Sequence, residues 1–148
     1  MNTKLKLSDD LKDALRAKDE LRKRTLRMAL AAIKNIEIDN GSELDESATL
    51  AILQKEVKNR LETIEGAQQA KRDDLIAEAE AEIAILEAYL PRPLAAEELE
   101  KLVREAIAES GATSPREMGN VMRLLMPKIQ GRADGKDASQ MVQRLLGQ

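Results

Sequence analysis

The 148-residue sequence contains no cysteine, histidine, tryptophan or phenylalanine, and its only aromatic is Tyr89. Without cysteine there is no disulfide framework, no thiolate nucleophile and no cysteine-held zinc. Without histidine the usual general base and the commonest transition-metal ligand are missing too. Stacking platforms that hold single-stranded nucleic acid cannot be built from one tyrosine beside two prolines. With only 4 prolines and 7 glycines, breaks in secondary structure are few and each carries information. No stretch approaches the roughly 20 apolar residues of a membrane span. The opening residues Met1 to Leu7 hold no apolar run of signal-peptide length. The expectation is a cytoplasmic protein with no membrane association.

What is present suits helices. The 43% hydrophobic fraction comes from Leu, Ile, Val, Met and Ala, interleaved with Glu, Lys and Arg, a composition that favours helix over strand. The chain is expected to be all-α, as one medium domain or two small ones.

Ser8 with Asp9 and Asp10 reads as a helix start, because a cap oxygen and two carboxylates suit the exposed N–H groups there. That first helix puts Leu11 and Leu15 inward and ends near Lys18 and Asp19. A second runs from about Glu20 to Asp39 and stops at Asn40-Gly41, glycine accepting the left-handed conformation freely. Its stripes, Leu26, Leu30, Ile33 and Leu21, Met28, Ala32, Ile36, make an apolar arc wide enough for a central helix. Lys23, Arg24, Arg27 and Lys34 occupy the remaining face. Asp45 caps a third helix reaching about Gln69, with Leu50, Leu53, Val57, Leu61 and Ile64 at seam spacing. After a turn at Lys71 to Asp74, a fourth helix to Leu90 buries Ile76, Ala79, Ile83, Leu86 and Leu90. Its exposed acids, Glu78, Glu80, Glu82 and Glu87, can lie against the basic second helix.

Pro91-Arg-Pro93 marks a boundary, since two prolines in three residues cannot continue a helix. Residues 1–91 carry 15 basic and 19 acidic side chains, a net of −4, whereas residues 92–148 carry 9 and 8, a net of +1. This predicts a larger N-terminal domain of about four helices, residues 1–91, followed by a three-helix domain, residues 92–148. The fifth helix, Ala96 to about Ser110, ends at Gly111. Ser114-Pro-Arg-Glu117 reads as a capping box with proline at the first helical position. The sixth helix carries Met118, Val121, Met122, Leu125 and Ile129 on one face, with Arg116, Asn120 and Arg123 opposite, and ends at Pro127. Asp134 or Asp137 caps the seventh, which buries Met141, Val142, Leu145 and Leu146.

The stretch Met118 to Lys136 holds the clearest functional signal. Arg123, Lys128, Arg132 and Lys136 fall within fourteen residues against one acid, Asp134, in a chain whose net charge is −3. Gly119 thins the polar side of the sixth helix. Gly131 and Gly135 are expected to leave backbone N–H groups accessible, and a helix start at Asp134 adds a positive dipole end. Arg116, Gly119, Asn120, Arg123, Lys128, Arg132 and Lys136 are therefore candidate phosphate contacts, with Lys23, Arg27 and Lys34 as a secondary basic face. The competing reading makes these charges an ordinary solvated surface.

Other chemistry finds less support. Amidase-type sites surround a serine and lysine with Gly- and Ser-rich backbone, and Ser8, Ser42, Ser47, Ser110, Ser114 and Ser139 have no such context. No Gly-rich phosphate loop is present. The pairs Asp9/Asp10 and Asp73/Asp74 read as helix-start acids rather than cation ligands. No catalytic residue, metal or cofactor is called for. Met118, Met122 and Met126 read as core, or alternatively as a soft docking surface for a partner helix.

The runs Arg27 to Ile38, Ala81 to Pro91 and above all Met118 to Met122 with Met126 to Lys136 closely resemble the YqeY-like family. These are free-standing relatives of the tail domain of the B subunit of the bacterial tRNA-dependent amidotransferase. The resemblance covers essentially the whole chain. It implies a two-part helical fold and a tRNA-associated role, related to carbon-nitrogen ligase systems with glutamine as amido donor; the missing catalytic motifs point to a protein that is non-catalytic alone. Its implied partners are tRNA and an amidotransferase or aminoacyl-tRNA complex. Where the amidotransferase tail tends to start its last helix with Asn-Pro, this chain has Asp134-Gly135, which favours Asp134 as the cap but places a carboxylate beside any nucleic-acid surface. Folded RNA, read through shape, phosphates and 2′-hydroxyls, needs no aromatic platform. The alternative function is a helical protein-protein adaptor.

Overall fold

Asn2, not Ser8, starts the first helix. Its side chain accepts the Leu5 N–H at 3.0 Å, and α1 runs Thr3–Arg16. Starting six residues early, the helix buries Leu7 and Ala14 fully; Leu11 packs against the core as expected, while Leu15 is 44% exposed. The computed structural model describes residues 2–147, and α-helix is the only extended secondary structure among them. It continues with α2 (Glu20–Asn40), α3 (Glu46–Gln69), α4 (Asp73–Glu87), α5 (Ala96–Ser110), a 3-10 turn (Pro115–Glu117), α6 (Met118–Ile129) and α7 (Gly135–Leu146). The all-α expectation holds.

Several stops and starts follow from local chemistry. Gly41 and Gly111 end α2 and α5 at φ 70° and 73°, where a side chain would strain the backbone. Asp45 caps α3 by accepting the Ala48 N–H at 2.8 Å, and Asp134 caps α7 by accepting the Lys136 N–H at 3.1 Å. Ser114 makes no capping bond from its side chain. Proline at 115 sets up a 3-10 turn instead, and Glu117 reaches back one residue further, to the Thr113 N–H. Pro127 does not end α6, which continues through it to Ile129. Near a helix end the missing N–H costs one bond rather than a run of them.

The chain divides into two compact units, Met1–Pro91 and Arg92–Gln148. In the first, Leu7 of α1, Leu26, Ala29 and Ile33 of α2, Ile52 and Leu53 of α3, and Leu86 of α4 form the core. The wide arc read on α2 is only partly used, for Met28 is 49% and Ile36 38% exposed. The α3 seam also stops short. Arg60 takes the inward position and Leu61 is 52% exposed. The Arg60 guanidinium bonds Glu82 on α4 at 2.7 Å and Glu56 at 2.9 Å. Glu82 also pairs with Arg24 of α2 at 3.0 Å, so the acidic face of α4 does meet α2. Glu37, buried on α2, accepts from Lys4 at 2.8 Å and from the Leu44 N–H at 2.9 Å, tying α1 and the following loop to α2. In the second unit Val103, Ala106, Val121, Leu125, Ile129, Ala138 and Val142 pack α5, α6 and α7 around one core with no exposure.

Candidate nucleic-acid interface

The helical period decides which of the basic residues share a surface. Val121, Leu125 and Ile129 point α6 into the core, and at about 100° per residue this turns Gly119, Asn120 and Arg123 outward. All three are exposed, as is Arg116 in the preceding 3-10 turn. Arg123 donates to the Asn120 side-chain oxygen at 3.3 Å. Neither Arg116 nor Arg123 has a carboxylate partner among the described residues. This face carries two charges and little side-chain bulk at Gly119.

The other candidates lie apart from it. Lys128 stands about 140° round the helix from Arg123 and meets Glu109 of α5 at 3.5 Å. Arg132, in the turn after α6, donates through Nε to the Arg92 carbonyl at 3.0 Å and lies 3.7 Å from Glu98. The Arg132 carbonyl in return accepts the Leu94 N–H at 2.9 Å. Arg132 thus braces residues 92–94 against the α6–α7 turn. Lys136 is exposed at the start of α7. Gly131 is buried, at φ 78°, so its N–H is not offered to solvent as the sequence suggested. Gly135 lies under Met126, whose Cε stands 3.5 Å from where a Cβ would be. The α7 N-terminus already holds the Asp134 carboxylate, which occupies the dipole end expected to seat a phosphate.

On α2, Lys23, Arg27 and Lys34 fall within about 40° of one another round the axis and so share a face. Lys23 pairs with Glu20 at 2.7 Å, while Arg27 and Lys34 are exposed. The serines serve helix ends: Ser110 donates to the Ile107 carbonyl at 3.0 Å and Ser139 to that of Lys136 at 3.0 Å.

One cluster was missed by sequence reasoning. Because α1 begins at Thr3, Asp10 is not a helix-start acid but an interior residue, one turn after Lys6. Tyr89, in the turn following α4, donates its hydroxyl to Asp10 at 2.5 Å. Lys6 lies 3.5 Å and Arg22 3.8 Å from the same carboxylate. The Lys6 ammonium also stands 5.8 Å from the centre of the Tyr89 ring. The tyrosine hydrogen bond, opposed by burial and helped by the two cations, holds the Asp10 carboxyl below its usual range. Burial and the Asp10 carboxylate push the Tyr89 phenol up to about 12. The Lys6/Asp10 spacing of four was the available signal, obscured by placing the helix start at Ser8.

A family model described as Yqey-like protein matches residues 4–146. The chain belongs to the YqeY-like family. Its curated relatives include proteins named "Altered inheritance of mitochondria protein 41, mitochondrial". The one from Pyrenophora tritici-repentis is 32% identical over 96% of this chain and 80% of its own length. That from Lachancea thermotolerans is 40% identical over 74% of this chain and 60% of its own. That from Eremothecium gossypii is 44% identical over 57% and 46%. This YqeY-like chain thus spans most of the first relative but only about half of the last two. Their names also correct one expectation. A cytoplasmic location was read from the lack of a leader-like run, yet these relatives are named mitochondrial proteins, and the cytoplasmic assignment is withdrawn. A mature chain retains no trace of a removed targeting segment, so composition near residue 1 is a poor guide to compartment.

Proposed function

We propose that this YqeY-like protein is a non-catalytic accessory that binds folded RNA, tRNA above all, through the outward face of α6. The two compact units act as separate domains of four and three helices, the second resembling the amidotransferase tail. One observation carries the reading: Arg116 and Arg123 are exposed and, among the described residues, without carboxylate partners, on a face thinned by Gly119. Cations that are not neutralised by a carboxylate remain able to displace counterions from phosphates. Asn120, which steadies Arg123, adds a neutral donor. Lys128 and Lys136 lie apart from this face and would add only long-range positive charge, and Arg132 braces residues 92–94. Any partnership with an amidotransferase or aminoacyl-tRNA complex would build on the same face.

Binding of tRNA across a salt series tests this. Engagement of two to four phosphates predicts log affinity falling against log salt with a slope of about −2 to −4. Arg123→Glu with Lys128→Glu should abolish saturable binding. No binding at low salt, or equal binding by the double variant, would remove RNA from the account. A second reading, a helical adaptor for a partner protein, draws on Met126 of α6, which lies over Gly135 at the start of α7 and is 37% exposed. Such an apolar contact would show almost no salt dependence.

A further inference from the structure

The Asp10 cluster has donors to spare, and it sits at a cleft. Lys6, Asp10, Arg22, Ile85, Ala88 and Tyr89 line a hollow of about 250 Å³. A second hollow of about 370 Å³ shares Lys6, Ala88 and Tyr89 with it and continues over Leu50, Leu90 and Pro91, with Thr3 and Glu46 at its edge. In the first hollow two cations face one carboxylate, a local net charge of +1, while Glu46 in the second is already engaged by the Thr3 N–H and hydroxyl. The short bond to Asp10 comes from the neutral Tyr89 hydroxyl at 2.5 Å. Lys6 and Arg22, at 3.5 and 3.8 Å, make long contacts that leave most of their N–H groups unused.

We propose that this cleft is a binding site for a small organic oxyanion, its carboxylate or phosphate head between Lys6 and Arg22 and its apolar body along Leu50, Tyr89, Leu90 and Pro91. A point-charge ammonium and a planar guanidinium approaching from α1 and α2 match the separated oxygens of such a head. Charge complementarity selects the sign in the first hollow, where the pair outnumbers Asp10 and where the head would sit. The apolar continuation selects an amphipathic ligand over a bare inorganic ion, because burying a short aliphatic chain adds about 0.8 kcal/mol per methylene. Asp10 holds the tyrosine and both cations in place and would disfavour a second full negative charge beside it, which predicts a preference for the singly charged carboxylate. This site is distinct from the α6 face and does not depend on RNA binding there.

The chain provides its own probe. Tyr89 is the only aromatic residue, so tyrosine emission of the intact protein reports this cleft alone. Hexanoate, n-hexyl phosphate, inorganic phosphate and hexanol would be titrated separately. The expected result is a saturable emission change with hexanoate and hexyl phosphate, weaker or absent with inorganic phosphate, and none with hexanol. Lys6→Gln and Arg22→Gln, both at solvent-accessible positions, should each weaken the response at least about tenfold, with circular dichroism confirming that the helices persist. Tighter binding of hexanoate identifies a carboxylate ligand, and tighter binding of hexyl phosphate a phosphate monoester. The proposal is overturned if neither anion gives a saturable change at millimolar concentration, if hexanol matches them, or if folded Lys6→Gln and Arg22→Gln both respond as the wild type does.

Discussion

Tyr89 shows how much a single side chain can report. Its phenol stands at about 12 because burial disfavours the anion and Asp10 accepts its proton. An acid whose folded pKa is raised retains its proton while the unfolded chain has lost it. Stability is therefore full below about pH 10 and declines as pH rises from 10 through 12. Ultraviolet titration should show one transition near 12, and Asp10→Asn should move it down toward 10. A midpoint at 10 in the wild type would contradict the cluster as described. Arg60 makes a different point. It is only 6% exposed and holds Glu56 and Glu82, so Arg60→Ala takes a partner from two partly covered carboxylates and leaves Glu82 with Arg24 alone. The cost should be about 2 to 3 kcal/mol in urea unfolding, short of a fully buried pair because water still reaches both acids. An effect under 0.5 kcal/mol would show that the network is mere decoration. Neither the Arg60 network nor the pairing of Tyr89 with Asp10 was legible in the sequence. Arg60 reads there as one more charge beside Leu61, and Asp10 as a helix-start acid, because contacts across helices leave no local pattern.

Among the helices, those whose ends rest on one residue's own chemistry were readable. Asp45, Gly41 and Gly111 end or start α3, α2 and α5 as their side chains, or lack of them, require. The failures came where two local signals competed. Asn2 outbid Ser8 for α1, and Pro115 diverted Ser114 from its cap into a 3-10 turn. For α6 the periodicity of Val121, Leu125 and Ile129 was decisive, whereas the fate of its basic residues was not, since Arg132 and Lys128 turn toward Arg92 and Glu109 by way of contacts distant in sequence. This separation is measurable. Arg132→Gln breaks the brace to the Arg92 carbonyl and Glu98 and should lower stability by about 1 kcal/mol. Arg123→Gln touches only Asn120 and should stay within about 0.5 kcal/mol. Thermal unfolding of both variants that ranked Arg123→Gln as the more damaging would reverse the roles assigned here. Leu125→Ala, at the centre of the α5–α7 core, should cost about 2 to 5 kcal/mol, enough to unfold a small helical unit near physiological temperature.

At the level of the whole molecule, composition was enough for the all-α class and the residues around Met118 to Lys136 were enough for the family, which the match over residues 4–146 establishes. Compartment was not legible, because targeting is carried by segments that need not remain in the chain. Charge partitioning was informative, with a net of −4 in residues 1–91 and +1 in residues 92–148. An acidic protein that binds RNA must confine contact to a small face, and the outward face of α6 is the one proposed. The measurement that tests this most directly compares tRNA binding by Arg116→Gln/Arg123→Gln with binding by Lys23→Gln/Arg27→Gln/Lys34→Gln, each over the same salt series. The account predicts that the α6 double variant binds at least about tenfold more weakly, with its salt slope reduced by about 2, while the α2 triple variant keeps most of its affinity. Loss of binding in the α2 variant with the α6 variant unaffected would place the RNA, if bound at all, on the other unit, and the central claim would be wrong.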